Sequence, residues 1–181
     1  YDRVLGTTTY CVADAPYGIG PGHLSWPTIA DALKAADPKA RVFAVSGKDR
    51  AAVILGGRRA DLVLWLDKRK GAFTTSSYYR RPEWLDAFNA KLSASGLLPV
   101  KNGKVPAAVL ASPAVDEATA RLVDELMEKE HAGRGPSTDL LLVSFTATDL
   151  VGHRYGTEAP EMTAQLRALD GILGRLMGAW E

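Results

Sequence analysis

Three short stretches, 41-RVFAVS-46, 61-DLVLWLD-67 and 139-DLLLVSFT-146, run apolar without the polar alternation of a half-exposed strand. Runs of this length, rich in Val, Leu and aromatic residues, predict strands covered on both faces, as in a parallel sheet. Between them the apolar positions change to helical spacing. Ser25 and Pro27 make a helix start, and Ile29, Ala32, Leu33 and Ala36 recur on one face that is expected to pack on a sheet until 37-DPK-39 stops the helix. 47-GKDRAAVILGG-57 reads as a turn into a short helix ended by Gly56 and Gly57. 71-GAFTTSSYY-79 predicts a further strand, Pro82 begins a helix over 82–92, and 116–135 is an amphipathic helix with a glycine stop. A last helix over 160–180 carries Met162, Leu166, Leu169, Leu173 and Leu176 at the spacing of one face. The opening 1-YDRVLGTTTYCVAD-14 alternates and predicts a short N-terminal β-hairpin with Gly6 at its turn, whereas 93–114, broken by prolines and glycines, reads as an irregular excursion.

Strands alternating with helices indicate an α/β fold with a largely parallel sheet flanked by helices. At 181 residues, one such domain over 1–181 is expected. Twenty-two Lys and Arg against 21 Asp and Glu leave no whole-chain basic field, which argues against nucleic acid as a partner and makes any anion site local. The single cysteine, Cys11, has no partner for an internal disulfide and lacks the spacing of a structural zinc site. No apolar run approaches the roughly 20 residues that cross a bilayer, so no membrane role is expected. The chain begins at Tyr1 rather than Met and stops within a periodic helix, the pattern expected of a piece of a longer protein.

Open α/β sheets place ligands beyond the carboxyl ends of their strands, which directs attention to two turns. After 41–46 come Lys48, Asp49 and Arg50; after 139–146 come Thr148, Asp149 and His153. Lys48 and Arg50, two apart at a strand-to-helix turn, combine a compact charge with a two-pronged fork and can converge on an anion at a positive helix end. Asp149 and His153 offer a carboxylate oxygen and an imidazole nitrogen at helical i, i+4 spacing, both ordinary ligands of a catalytic zinc, which takes about three protein ligands. Each pair taken alone reads first as ordinary solvated side chains, and only second as a site. His131 reads as a helix-end residue and His23 as a loop residue; Arg58 and Arg59 read as a solvated turn, Tyr78 and Tyr79 as packing, and Trp26 and Trp84 as anchors seating their helices on the sheet.

Taken together and in order, 42-VFAVSGKDRAAVILGGRRADLVLWLD-67, 71-GAFTTSSYY-79 and 140-LLLVSFTATDLVGHRYG-156 resemble the PafA/PhoK-like bacterial alkaline phosphatases, within the type I phosphodiesterase/nucleotide pyrophosphatase group of the alkaline phosphatase superfamily. The resemblance extends over nearly the whole chain and implies an alkaline-phosphatase-like core, seen in part. It implies that Lys48 and Arg50 bind phosphoryl oxygens and that Asp149 and His153 bind one of two zinc ions. A metal-activated threonine would take the phosphoryl group. That threonine and the remaining metal ligands belong to segments outside these 181 residues, and Thr74, Thr75, Thr146 and Thr148 do not match its motif. The resemblance therefore implies a central fragment of a periplasmic or secreted phosphatase acting on phosphate monoesters, inactive as an isolated chain. A nucleotide pyrophosphatase or phosphodiesterase of the same superfamily, and a noncatalytic phosphate-binding module, are the alternatives.

Overall fold

A computed structural model describes Arg3 and residues 6–179. The elements run β1 (Ala13–Asp14), β2 (Gly18–Ile19), α1 (Ile29–Ala36), β3 (Arg41–Ser46), α2 (Asp49–Gly56), β4 (Leu62–Asp67), β5 (Ala72–Thr74), α3 (Leu85–Ala94), α4 (Ala107–Leu110), α5 (Ala114–Lys129), β6 (Asp139–Ser144), α6 (Ala147–Tyr155) and α7 (Pro160–Gly178). The main sheet has the order β5-β4-β3-β6. β3 is central and parallel to both neighbours, with Ser46 opposite Trp65 on one side and Ser144 on the other.

The fourth strand makes the sheet mixed. β5 pairs antiparallel with β4, because the four residues between them form a tight turn in which the amides of Lys70 and Gly71 both donate to the Asp67 carbonyl. So short a connection can only return antiparallel; a parallel return needs a crossover of a dozen residues or more. Gly71 is required there: its φ is +60° and a Cβ would lie 2.6 Å from the Leu98 carbonyl oxygen. The strand expected over 71–79 is thus three residues long, and Thr75 to Tyr79 form a loop.

Side chains of the central strands alternate between two cores. Phe43, Val45, Leu62, Leu64 and Leu66 face α3 and α5 with Leu85, Phe88, Leu122 and Leu126, and α7 closes this side with Ile172 and Leu176. The other face carries Ala44, Val63 and Trp65 against Ala52 and Val53 of α2. Small groups let α2 lie close: a Cβ on Gly56 would stand 2.7 Å from Val63 Cγ2 and 3.2 Å from Ala44 Cβ.

Several expectations need correction. The N-terminal hairpin exists, but it pairs Ala13–Asp14 with Gly18–Ile19; of the stretch expected to pair across Gly6, residues 1, 2, 4 and 5 lie outside the described residues. α1 does not bury its apolar stripe: Ile29 is 69% exposed, and Ala30 and Asp31 face inward instead. Asp31 closes a capping box with Thr28 and accepts the amides of Arg58 (2.8 Å) and Arg59 (2.9 Å), so polar bonds to the turn after α2 dock this helix. Trp26, 82% exposed, seats nothing, whereas Trp84 is half-buried and donates from Nε1 to Glu130 Oε1 at 2.8 Å. On α7 the buried stripe is Met162, Gln165, Ile172 and Leu176, leaving Leu166 and Leu173 exposed, because the polar Gln165 occupies an inward position that an apolar pattern passes over. The 93–114 segment is irregular apart from the end of α3, the four-residue α4 and the start of α5, and it buries Leu98 and Val105. Tyr79 packs as expected, buried, with its hydroxyl donating to the Gly57 carbonyl at 2.8 Å.

Candidate functional site

The ends of β3 and β6 lie side by side and are joined by small groups. Ser46, buried, donates from Oγ to the Ser144 carbonyl (3.1 Å) and accepts the amide of Lys48 (3.1 Å). Gly47 lies against the turn after β6, where a Cβ would stand 2.3 Å from Thr146 Oγ1 and 2.8 Å from Val115 Cγ1. Only a residue without a side chain permits this approach, and it brings Lys48 across to the next turn.

Lys48 caps the start of α2 and its side chain is 11% exposed; Nζ forms an ion pair with Oδ2 of Asp149. The other carboxylate oxygen of Asp149 lies 3.3 Å from His153 Nε2, one helical turn along α6. Asp149 and His153 are 52% and 81% exposed. The hydrogen bond from Lys48 holds the Asp149 carboxyl below the usual carboxylate range. Arg50 stands in the first turn of α2, next to Tyr10, whose hydroxyl donates to Asp49 Oδ1 at 2.6 Å. The four residues singled out from sequence therefore meet at one sheet edge. Lys48, Asp149 and His153 form one contact chain, and Lys48 and Arg50 line a cleft of about 490 Å³ whose walls include Tyr17, Trp65, Lys68 and Thr75. Asp149 and His153 stand outside the cleft lining, joined to it through Lys48.

α6 is placed by a buried carboxylate that sequence reasoning missed. Its cap residue Thr146 makes no side-chain capping bond; instead Asp116 of α5, fully buried, accepts the amides of Thr146 (2.9 Å) and Ala147 (3.0 Å) on Oδ1. Gln165 of α7 donates from Nε2 to Oδ2 at 2.7 Å. Burial pushes the Asp116 carboxyl up, and the two amides and Gln165 pull it back down. In the sequence Asp116 is an acidic residue in a helix first turn, a role that needs no burial, so nothing flagged it. Lys68 was missed for a related reason: in a run of Lys, Arg and Lys after a strand it reads as solvated charge.

Asp149 and His153 supply one oxygen and one nitrogen donor, a chemistry that suits zinc. Among the described residues no third His, Cys, Asp or Glu joins them. His131 follows the end of α5 with φ +50°, its carbonyl accepting from Arg41, and His23 is an exposed loop residue. The pair fits part of a metal centre whose other ligands would come from elsewhere.

Alkaline phosphatase PhoD of Zymomonas mobilis is 29% identical over 94% of this chain and 36% of its own length, and alkaline phosphatase PhoK of a Sphingomonas species is 31% identical over 87% and 33%. Alkaline phosphatase PafA of Elizabethkingia meningoseptica is 28% identical over 94% and 41%. The chain thus spans between a third and about two fifths of these relatives. Crystal structures of wild-type PafA and of a variant substituted at a threonine, an asparagine, a lysine and an arginine share the fold, each with a TM-score of 0.88 over 98% of this chain and 45% of theirs, at 24% and 23% identity. Residues 1–181 match the family described as Type I phosphodiesterase / nucleotide pyrophosphatase over their whole length, and the chain belongs to that family.

Proposed function

We propose that this chain is the phosphoryl-binding part of a larger zinc-dependent phosphomonoesterase of the alkaline phosphatase kind, a central fragment forming one α/β domain. The carrying observation is the meeting of Lys48 and Asp149 across two strand ends, which sets a cationic cleft beside a pair of metal-type donors. Lys48 and Arg50 bind the non-bridging oxygens of the phosphoryl group, Lys48 as a point charge and Arg50 as a fork, and their positions are fixed before substrate arrives. Two fixed cations favour a monoester dianion over a diester monoanion. Asp149 and His153 would hold one zinc ion, which when bound supplies Lewis-acid stabilisation and an acidified water. Until then Lys48 and Asp149 neutralise each other, so anion and cation each take one partner of this pair.

The nucleophile, a threonine by resemblance, and the remaining ligands belong to the parent protein, which we place in the periplasm or outside the cell. The 181-residue chain alone is accordingly inactive. Hydrolysis of p-nitrophenyl phosphate and of its diester by the full-length protein tests the reading. Lys48→Ala and Arg50→Ala each lower monoester kcat/KM by about tenfold to a hundredfold, the value of one hydrogen bond to a charged group. A diester preference that survives both substitutions would instead favour a phosphodiesterase, the activity in the family's own description.

A further inference from the structure

The cleft is much larger than one phosphoryl group, and its far wall holds groups that Lys48 and Arg50 leave unused. β4 runs parallel to β3 with Trp65 opposite Ser46, so Lys68, three residues past Trp65, leaves the sheet at the same edge as Lys48. Its backbone is fixed there, the carbonyl accepting the Val105 amide at 2.8 Å. Lys68 is half-buried, and burial together with Lys48 and Arg50 lowers its pKa. Among the described residues it has no ion-pair partner. The carboxylates nearest in the lining are engaged elsewhere: Asp49 with the Tyr10 hydroxyl and the Arg50 amide, Asp67 with the Arg69 amide at 2.9 Å. A half-buried cation facing two like charges is unfavourable until an anion joins it.

Thr75 and Ser76 also line the cleft, with their hydroxyl oxygens enclosed by the protein and without a hydrogen-bond partner. Tyr17, Ile19 and Trp65 supply apolar surface in the same cleft for the body of a small organic molecule. We infer that Lys68 forms a second anion subsite, so that the ligand class of this cleft is a phosphate ester whose leaving group carries another anionic group, a carboxylate or a second phosphate. This rests on the phosphoryl site at Lys48 and Arg50 and adds the specificity of its leaving-group side.

Equilibrium titration of the metal-free 181-residue chain with three probes tests the subsite without requiring turnover: ethyl phosphate, phosphoglycolate and 1,3-propanediol bisphosphate. The wild-type chain binds at least one of the two doubly charged probes about tenfold more tightly than ethyl phosphate, the value of one added charge-assisted hydrogen bond. Which of the two gains more tells whether a carboxylate or a second phosphate is preferred. Lys68→Gln removes that ratio while leaving ethyl phosphate within about twofold, and Lys68→Arg restores most of it. A ratio unchanged in Lys68→Gln overturns the subsite, as does an equal loss for all three probes, which would make Lys68 a third ligand of the phosphoryl group itself. Failure of a folded wild-type chain to bind any probe also overturns it. Should the Lys68-dependent ratio hold while Lys48→Ala leaves ethyl phosphate binding unchanged, the subsite stands and the role of Lys48 falls.

Discussion

The two turns that meet at this sheet edge are built in opposite ways. After β3 the first cation is itself enclosed: Gly47 packs against Thr146 and Lys48 is almost covered, while Arg50 stands exposed beside Tyr10 at the cleft. After β6 the scaffold is enclosed and the functional side chains are not. Asp116 grips the start of α6 from inside the core, while Asp149 and His153 project into the open. On the proposed reading an anion site needs donors held in place, which Lys48 and Arg50 at the end of β3 would supply. A metal centre needs more ligands than two, and on the same reading α6 would present a pair of donors outward, where further groups could complete it.

The sharpest way to break this contrast is to remove the inner grip on α6. Asp116→Ala strands two backbone amides and the Gln165 Nε2, and is expected to lower unfolding free energy by about 3 kcal/mol or more, measured by urea denaturation. Asp116→Asn costs about 1 kcal/mol at most, because Oδ1 still accepts the amides and Gln165 can turn its Oε1, which has no partner, towards the new Nδ2. The sign of the pH effect gives a second reading. A carboxyl whose folded pKa is raised makes the protein lose stability as pH rises from the ordinary carboxylate value to the raised one. The Asn variant lacks that decline; an equal decline in both proteins would show that Asp116 is not its source. Next in size is Gly47→Ala, expected to cost about 1–3 kcal/mol, since the new methyl overlaps Thr146 and Val115. Pairing it with Thr146→Ser, which keeps Oγ1 but drops the methyl, recovers little, because the clash is with the oxygen.

What was legible beforehand follows the same division. β3, β4 and β6 were readable because unbroken apolar runs have few other uses, and the meeting of Lys48, Arg50, Asp149 and His153 at one end of the sheet because parallel neighbours end their strands on the same side. The inward stripes of α1 and α7 were misread because buried Asp31 and Gln165 occupy positions that a hydrophobic pattern assigns to apolar residues. Asp116 was hidden for the same reason: a buried carboxylate is recognisable only once its donors, thirty and forty-nine residues away, are seen around it. The antiparallel return of β5 depended on the length of one turn, which period-two reasoning does not measure.

A smaller effect sharpens the link between the two halves. Lys48→Ala removes a cation from the anion cleft and from Asp149 together. Titration of the isolated chain is expected to show phosphate binding weakened about tenfold and Zn²⁺ binding strengthened a few-fold, since Asp149 no longer has an ammonium against it. Asp149→Asn reverses both directions: Lys48 is freed for the anion and the cation loses a ligand. Zinc affinity that falls in Lys48→Ala would separate the halves and overturn the coupling.

The smallest expected effect lies at the far end of the strands and serves as a control on the others. Arg41, opening β3, donates from Nε to Asp139 Oδ1 at 3.0 Å and from its second nitrogen to Oδ2 at 2.5 Å, and the Gly133 amide adds a bond of 2.7 Å. Burial would raise the Asp139 carboxyl, but the bonds from Arg41 and Gly133 outweigh it and hold the group below its ordinary value. A depressed folded pKa contributes stability that is present above the unfolded value, near pH 4, and is lost as pH falls through the lower folded one. Arg41→Ala therefore makes the acid limb of the stability curve shallower below about pH 4, with a neutral-pH loss of no more than about 1 kcal/mol, because Arg41 is partly exposed and solvent screens the pair. Phosphate and zinc titrations are unchanged in this variant, since the pair stands at the opposite end of β3 from Lys48. An acid limb as steep as in the wild-type chain would show that another carboxylate sets it, and a loss of phosphate binding would mean that the site depends on the whole strand rather than on its carboxyl end.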